Sequence, residues 1–180
     1  MRNRVITEIP EDILYLVHTT SKKYKDKDGN IIWTEIKASG TDQHPGAYFS
    51  LITKDNRLTE KLFPSTECLI FSRNLLKQTN YHINMCDNNG FITEGNTFFP
   101  WNLQEAVEKI RENSFIPLDE ENVNYHRMNE VVFHDAVPID YLCLDLPCKF
   151  FSNDFLPDYS IENNVKPNPK NKFICEGNKK

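Results

Sequence analysis

Apolar residues fall in short runs along this chain, separated by polar, glycine- and proline-containing stretches. The first run, Ile13 to Val17, is dense in branched and aromatic side chains and predicts an opening strand. Asp28-Gly29-Asn30 is a turn signal, so Ile31 to Ile36 predicts either the strand after a hairpin or a short helix. Gly40, Pro45 and Gly46 mark a loop before "AYFSLI", a second short strand. "ECLIFSRNLL" predicts a third strand running into a turn or short helix. From Asn80 to Trp101 the chain carries a further turn signal, Asn88-Asn89-Gly90, and reads as a hairpin or a structured insertion.

A helical period is clearest in "NLQEAVEKIRENS". Asn102 supplies a cap, Glu105 follows three residues later, and Leu103, Ala106, Val107 and Ile110 share one face. Val131 to Phe133 then predicts a strand, and "VPIDYLCLDLP" a last one. From Tyr159 onward the chain is polar and broken by prolines. The pattern divides into one domain over residues 1–158 and a polar tail over 159–180. Many strands and few helices predict an α+β fold with a mostly antiparallel or split sheet.

With 180 residues, 39% of them hydrophobic, the chain suits one core, and its twelve Phe and seven Tyr can fill it. The net charge is −5 and no basic block exceeds two or three residues, which disfavours a strong electrostatic grip on nucleic acid. Five cysteines, with no C-x-x-C among them, read as reduced structural thiols and a cytoplasmic or intracellular setting. No run approaches the roughly 20 apolar residues of a membrane span, and the N-terminus lacks a signal-peptide pattern. His126 and His134 flank Glu130, but cysteine or acidic ligands at a useful spacing are missing, so no metal is expected. Trp33 and Trp101 read as core or rim packing, and Lys22, Lys23 and Lys25 as a solvated loop.

Three segments carry candidate chemistry. Leu16-Val17-His18-Thr19-Thr20 ends an apolar strand in a histidine and two small hydroxyl residues. Gly46-Ala47-Tyr48-Phe49-Ser50 sets two aromatics on a strand after a loop. Asn129-Glu130-Val131-Val132-Phe133 opens a strand with a carboxylate, a position ordinarily solvated. Together, in this order, they resemble the ADP-ribosyltransferase superfamily, in its His-Tyr-Glu branch of poly(ADP-ribose) polymerase catalytic domains and diphtheria-type toxins. Gaps of 30 and 82 residues separate His18, Tyr48 and Glu130, close to the spacing of that branch. "NEVVFHDAVPIDYL" also looks like the family's strand, loop and following strand.

The resemblance implies split antiparallel sheets with flanking helices, here two small sheets packed face to face beside the Asn102 to Asn113 helix. It implies NAD as substrate, no metal, and a protein or nucleic-acid acceptor. His18 would bind the hydroxyls of the adenine-side ribose, Tyr48 would stack on nicotinamide, Thr19 and Ser50 would line the same site, and Glu130 would be catalytic. Phe49 would face the core, because neighbours on a strand point opposite ways. Met128 stands where arginine-modifying toxins place Gln or Glu, which disfavours arginine as acceptor; the loop by which elongating polymerases bind an acceptor chain is not identified, so mono-transfer is the simpler expectation. The sequence departs from the family twice. Thr19 replaces the usual glycine after the histidine. The serine that holds the nicotinamide carboxamide has only Thr53 and Asn56 as candidates. A non-catalytic binding or structural module on the same fold is the alternative.

Overall fold

The computed structural model describes residues 8–38, 46–55, 66–78, 80–84, 102–117 and 130–148. The apolar run after Pro10 forms β1 (Ile13–Thr20), and the segment after Gly46 forms β3 (Ala47–Thr53). Between them, Asp26 closes the predicted turn. Its carboxylate accepts from the backbone N–H groups of Asp28 and Asn30 and from the Asn30 side chain. Gly29 takes a positive φ of 84°, which glycine adopts without steric cost. Lys25 and Ile31 form a single bridge across this turn, but Ile31 to Ile36 is neither a continuous strand nor a helix: only the two-residue strand β2 (Glu35–Ile36) forms there, and it pairs elsewhere.

Downstream come β4 (Glu67–Ser72), a 3-10 turn over Arg73–Lys77, and β5 (Tyr81–Asn84). Helix α1 (Leu103–Asn113) starts at Asn102, whose side chain accepts from the Glu105 N–H while Glu105 accepts from the Asn102 N–H. This reciprocal cap and the buried stripe Leu103, Ala106, Val107 and Ile110 match the sequence pattern. The chain then forms β6 (Glu130–Phe133), β7 (Val137–Pro138), a 3-10 turn over Ile139–Tyr141 and β8 (Leu142–Pro147). The expected single last strand is therefore two. Ile139 donates to the Thr34 carbonyl, tying β7 to the β2 segment, and the 3-10 turn redirects the chain before β8 joins the main sheet.

The described residues form an antiparallel six-stranded sheet, β5-β6-β3-β1-β4-β8, and a separate ribbon of β2 and β7. This is α+β with mostly antiparallel pairing. It is not the expected pair of small facing sheets, because β1 hydrogen-bonds to β3 on one side and β4 on the other and so joins both halves. One face carries the core, in which Leu16, Leu51, Phe49, Phe71, Val131 and Phe133 meet the apolar stripe of α1. Phe49 stacks edge-on against both Phe71 and Phe133. The opposite face is also buried at Val17, Ile52, Ile70 and Val132. Trp33 packs on the core rim, as expected, whereas Trp101 and the tail from Tyr159 lie outside the described residues.

At the end of α1, Arg111 bonds Asp12 and Asp55, and Lys54 pairs with Asp12. The two cations hold the Asp12 carboxyl below its ordinary range. Cys68, Cys143 and Cys148 are buried. No helix of the described residues is long and apolar enough to cross a membrane.

Gly46 has a packing reason to be glycine. A Cβ there would collide with the Val132 side chain and sit 2.9 Å from the Phe133 carbonyl oxygen. Gly46→Ala is expected to lower the unfolding free energy by about 1–3 kcal/mol, the usual cost of overpacking. Urea denaturation of the two proteins checks this, and equal midpoints would contradict it.

Candidate functional site

The three motif segments lie far apart in sequence but on consecutive strands, β6-β3-β1. Between β1 and β3 the pairing runs from Ile13↔Thr53 to Val17↔Ser50 and stops there. Both strands continue. β1 stays paired with β4 as far as Thr20↔Glu67, and β3 stays paired with β6 as far as Ala47↔Phe133. Past Val17 and Ser50 the sheet therefore opens between His18-Thr19-Thr20 on one side and Ala47-Tyr48-Phe49 on the other. The predicted histidine and tyrosine motifs form the two lips of this opening.

His18 spans the lips. Its Nδ1–H donates to the Tyr48 carbonyl at 2.8 Å, and its ring lies 5.5 Å from that of Phe49. A carbonyl only accepts, so this bond fixes the Nδ1–H tautomer and leaves Nε2 with its lone pair. Burial pushes the His18 pKa down, the Tyr48 bond pushes it up more weakly, and nearby Lys22 adds to the depression. His18 is thus neutral near pH 7.

Strand alternation places the other groups. Peptide groups of successive residues point to opposite neighbours. The Tyr48 carbonyl faces β1, and the Thr20 carbonyl faces the β4 side, where it accepts from the Thr66 hydroxyl. Hence Val17 and Thr19 turn their peptide groups toward β3, and the Thr19 peptide faces the opening. Its side chain emerges on the face opposite the core, together with those of Val17, Tyr48 and Ser50. Thr19, Tyr48 and Ser50 are all half-buried.

Glu130 pairs with Ser50 across β3 and β6, and Tyr48 pairs with Val132, so Tyr48, Ser50 and Glu130 share that face. Directly opposed side chains on a sheet lie about 5 Å apart at Cβ and diagonal ones about 7–8 Å. Glu130 is 8% exposed, which excludes the ordinary solvated strand mouth. Carboxylates are seldom buried this deeply without a partner. The structure brings together Thr19, Tyr48, Ser50 and Glu130 on one face. His18 reaches the opening from the core face, beside Leu16 and Phe49, and does not share a face with Glu130. Thr53 lies at the far end of β3, where its hydroxyl accepts from the Asp55 N–H. Asn56 and His126 are outside the described residues.

Lys22 and Lys23 are exposed, as expected of a solvated loop, but Lys25 is ion-paired with Asp145. Asp145 also accepts from the Tyr24 hydroxyl at 2.6 Å, and burial, with Asp145 next, pushes that phenol's pKa upward. His134 follows the end of β6 and meets His82 of β5, a partner that sequence reading missed because 52 residues separate them. No protein-family model, curated protein or solved structure matches this chain.

The depressed His18 pKa has a sign. The unfolded chain takes up a proton near the ordinary value of 6.5 and the folded chain only at lower pH. Stability from neutral His18 is therefore complete above pH 6.5 and is lost as pH falls through the folded pKa. His18→Asn keeps a donor for the Tyr48 carbonyl but cannot titrate. Between about pH 7.5 and about pH 5.5, wild type should lose more unfolding free energy than His18→Asn. Equal losses in denaturant titrations would contradict the assignment.

Proposed function

We propose that the opening between β1 and β3 binds NAD and that the chain is a His-Tyr-Glu ADP-ribosyltransferase, most simply a mono-transferase with a protein or nucleic-acid acceptor. The observation that carries this reading is the order β6-β3-β1. It sets three segments that resemble one family's motifs side by side, with strand pairing interrupted where the nicotinamide end would enter. In this reading the interruption corresponds to the family's split sheet, and β1-β4-β8 and β3-β6-β5 are its two halves.

The residues divide the work as follows. The lone pair on His18 Nε2 accepts from a ribose hydroxyl, a role that requires the neutral tautomer its Tyr48 bond enforces. Tyr48 offers an aromatic face to the cationic nicotinamide ring. The Thr19 peptide group, facing the opening, supplies one donor and one acceptor for the carboxamide. Ser50, beside Glu130, keeps a hydroxyl at the ribose end.

The bond from nicotinamide nitrogen to ribose C1′ breaks with its electron pair leaving on nicotinamide, and positive charge develops on the ribose as in glycoside cleavage. A buried carboxylate stabilises that charge more strongly than a solvated one. The acceptor's lone pair then forms the new bond to C1′, and its proton passes to Glu130.

Thr19 supports a second reading, a module that binds without turnover. Its side chain shares a face with Tyr48 and narrows the space that the family's glycine leaves open.

Glu130→Gln should still bind NAD while nicotinamide release falls ~10²-fold or more, about 3 kcal/mol of transition-state stabilisation. Release at the wild-type rate would remove Glu130 from the chemistry. Tyr48→Ala should weaken NAD binding by roughly 1–3 kcal/mol, the scale of a lost buried aromatic contact, and an unchanged calorimetric affinity would refute stacking. NAD-dependent thermal protection of wild type without nicotinamide release, relieved by Thr19→Gly, would select the binding module. Wild type with neither would overturn both readings.

A further inference from the structure

We infer that His82 and His134 form a two-imidazole site for a borderline divalent transition ion such as zinc, independent of any activity at the opening. His82 sits on β5, an outer strand of the described sheet, opposite Val132, and His134 follows the last residue of β6. Their rings lie 5.0 Å apart, with His82 Nδ1 and His134 Nε2 separated by 2.7 Å. The cluster is exposed, so an ion can reach it.

The neighbours fix which nitrogen is available. His134 Nδ1 lies 2.9 Å from the Asn80 amide oxygen, and the Asn80 amide N–H in turn donates to the Asp135 carboxylate. Both acceptors are oxygens, so His134 carries its proton on Nδ1 and presents the Nε2 lone pair to His82. A further backbone bond, from the His134 N–H to the Asn80 carbonyl at 2.9 Å, holds this turn to the start of β5. A carboxylate-backed relay that orients an imidazole is the outer-shell arrangement of metal-bound histidines.

In the ion-free pair His82 Nδ1–H donates to His134 Nε2. Moving the His82 proton to its Nε2 turns both facing lone pairs toward one point, with no net proton release. Zinc–nitrogen bonds of roughly 2.0–2.1 Å in tetrahedral geometry need the two nitrogens about 3.3 Å apart. The rings must therefore part by about half an ångström, a small side-chain rotation for an exposed pair. Among the described residues the two imidazoles are the ligands this site offers, since no cluster of three or more His, Cys, Asp or Glu suited to a metal is found there.

Zinc titration of the full chain by calorimetry, with thermal unfolding in excess zinc, tests the site. Wild type should bind one ion and unfold at higher temperature, since the ion binds the folded state. His82→Ala and His134→Ala should each lose tenfold or more in affinity. Asn80→Ala keeps both imidazoles and should lose on the order of 10-fold through its outer-shell bond. Cobalt in place of zinc should give a nitrogen–oxygen spectrum without a thiolate charge-transfer band. Equal zinc binding by wild type and both histidine variants, a thiolate band, or no zinc binding by wild type would each reduce the cluster to a hydrogen-bonded pair and overturn the inference.

Discussion

The arrangement depends on the hydrogen bond from His18 to the Tyr48 carbonyl. Where two strands of one sheet part, each loses ladder partners, and an unpartnered carbonyl in a half-buried site costs on the order of 1–3 kcal/mol. His18 offsets that cost on one lip with a side chain instead of a strand. The bond also sets the tautomer, and burial keeps the ring neutral. One contact thus holds the two lips at a fixed separation and leaves an acceptor nitrogen at their edge.

The rest of the sheet makes that parting sustainable. β1 keeps its bonds to β4, and β3 keeps its bonds to β6, so each strand stays held on its outer side beyond Val17 and Ser50. Gly46 lets β3 begin in close contact with β6, where a larger residue would push the lip away. Below, the edge-on rings of Phe49, Phe71 and Phe133 and the stripe of α1 fill the core face. At the far end of β1 and β3, the Asp12, Asp55, Lys54 and Arg111 ion pairs connect both strands to the helix terminus. Such exposed pairs contribute little individually, about 0–1 kcal/mol each, so the apolar face carries most of the stability. Glu130 is buried on the other face beside Ser50.

Much of this was legible in the sequence because it is local. The turn at Gly29, the Asn102 cap and the apolar stripe of α1 follow from spacing within a few residues, and so do the starts of β1, β3 and β6. The last segment was misread as one strand because its apolar pattern continues through Pro138, while the redirecting turn depends on Thr34, more than a hundred residues away. The sheet's continuity was misjudged for the same reason, since pairing between β1, β3 and β4 is non-local. Of the candidate site, residue identities came from a motif resemblance, and the burial of Glu130 and the clamp by His18 came only from the fold. Thr53 lies away from the opening, because β3 is long enough to carry it to the opposite end. The His82–His134 pair left no sequence signal, as its two residues come from different strands.

Amide hydrogen exchange at Val17 and Thr19, followed with and without NAD, tests the central claim most directly. Both residues turn their peptide groups toward β3, but only Val17 has a strand partner there. The Thr19 amide should exchange much faster than the Val17 amide in the free protein and become protected when NAD is added. Equal slow exchange at both positions, unchanged by NAD, would show that no opening exists between β1 and β3 and would contradict the account.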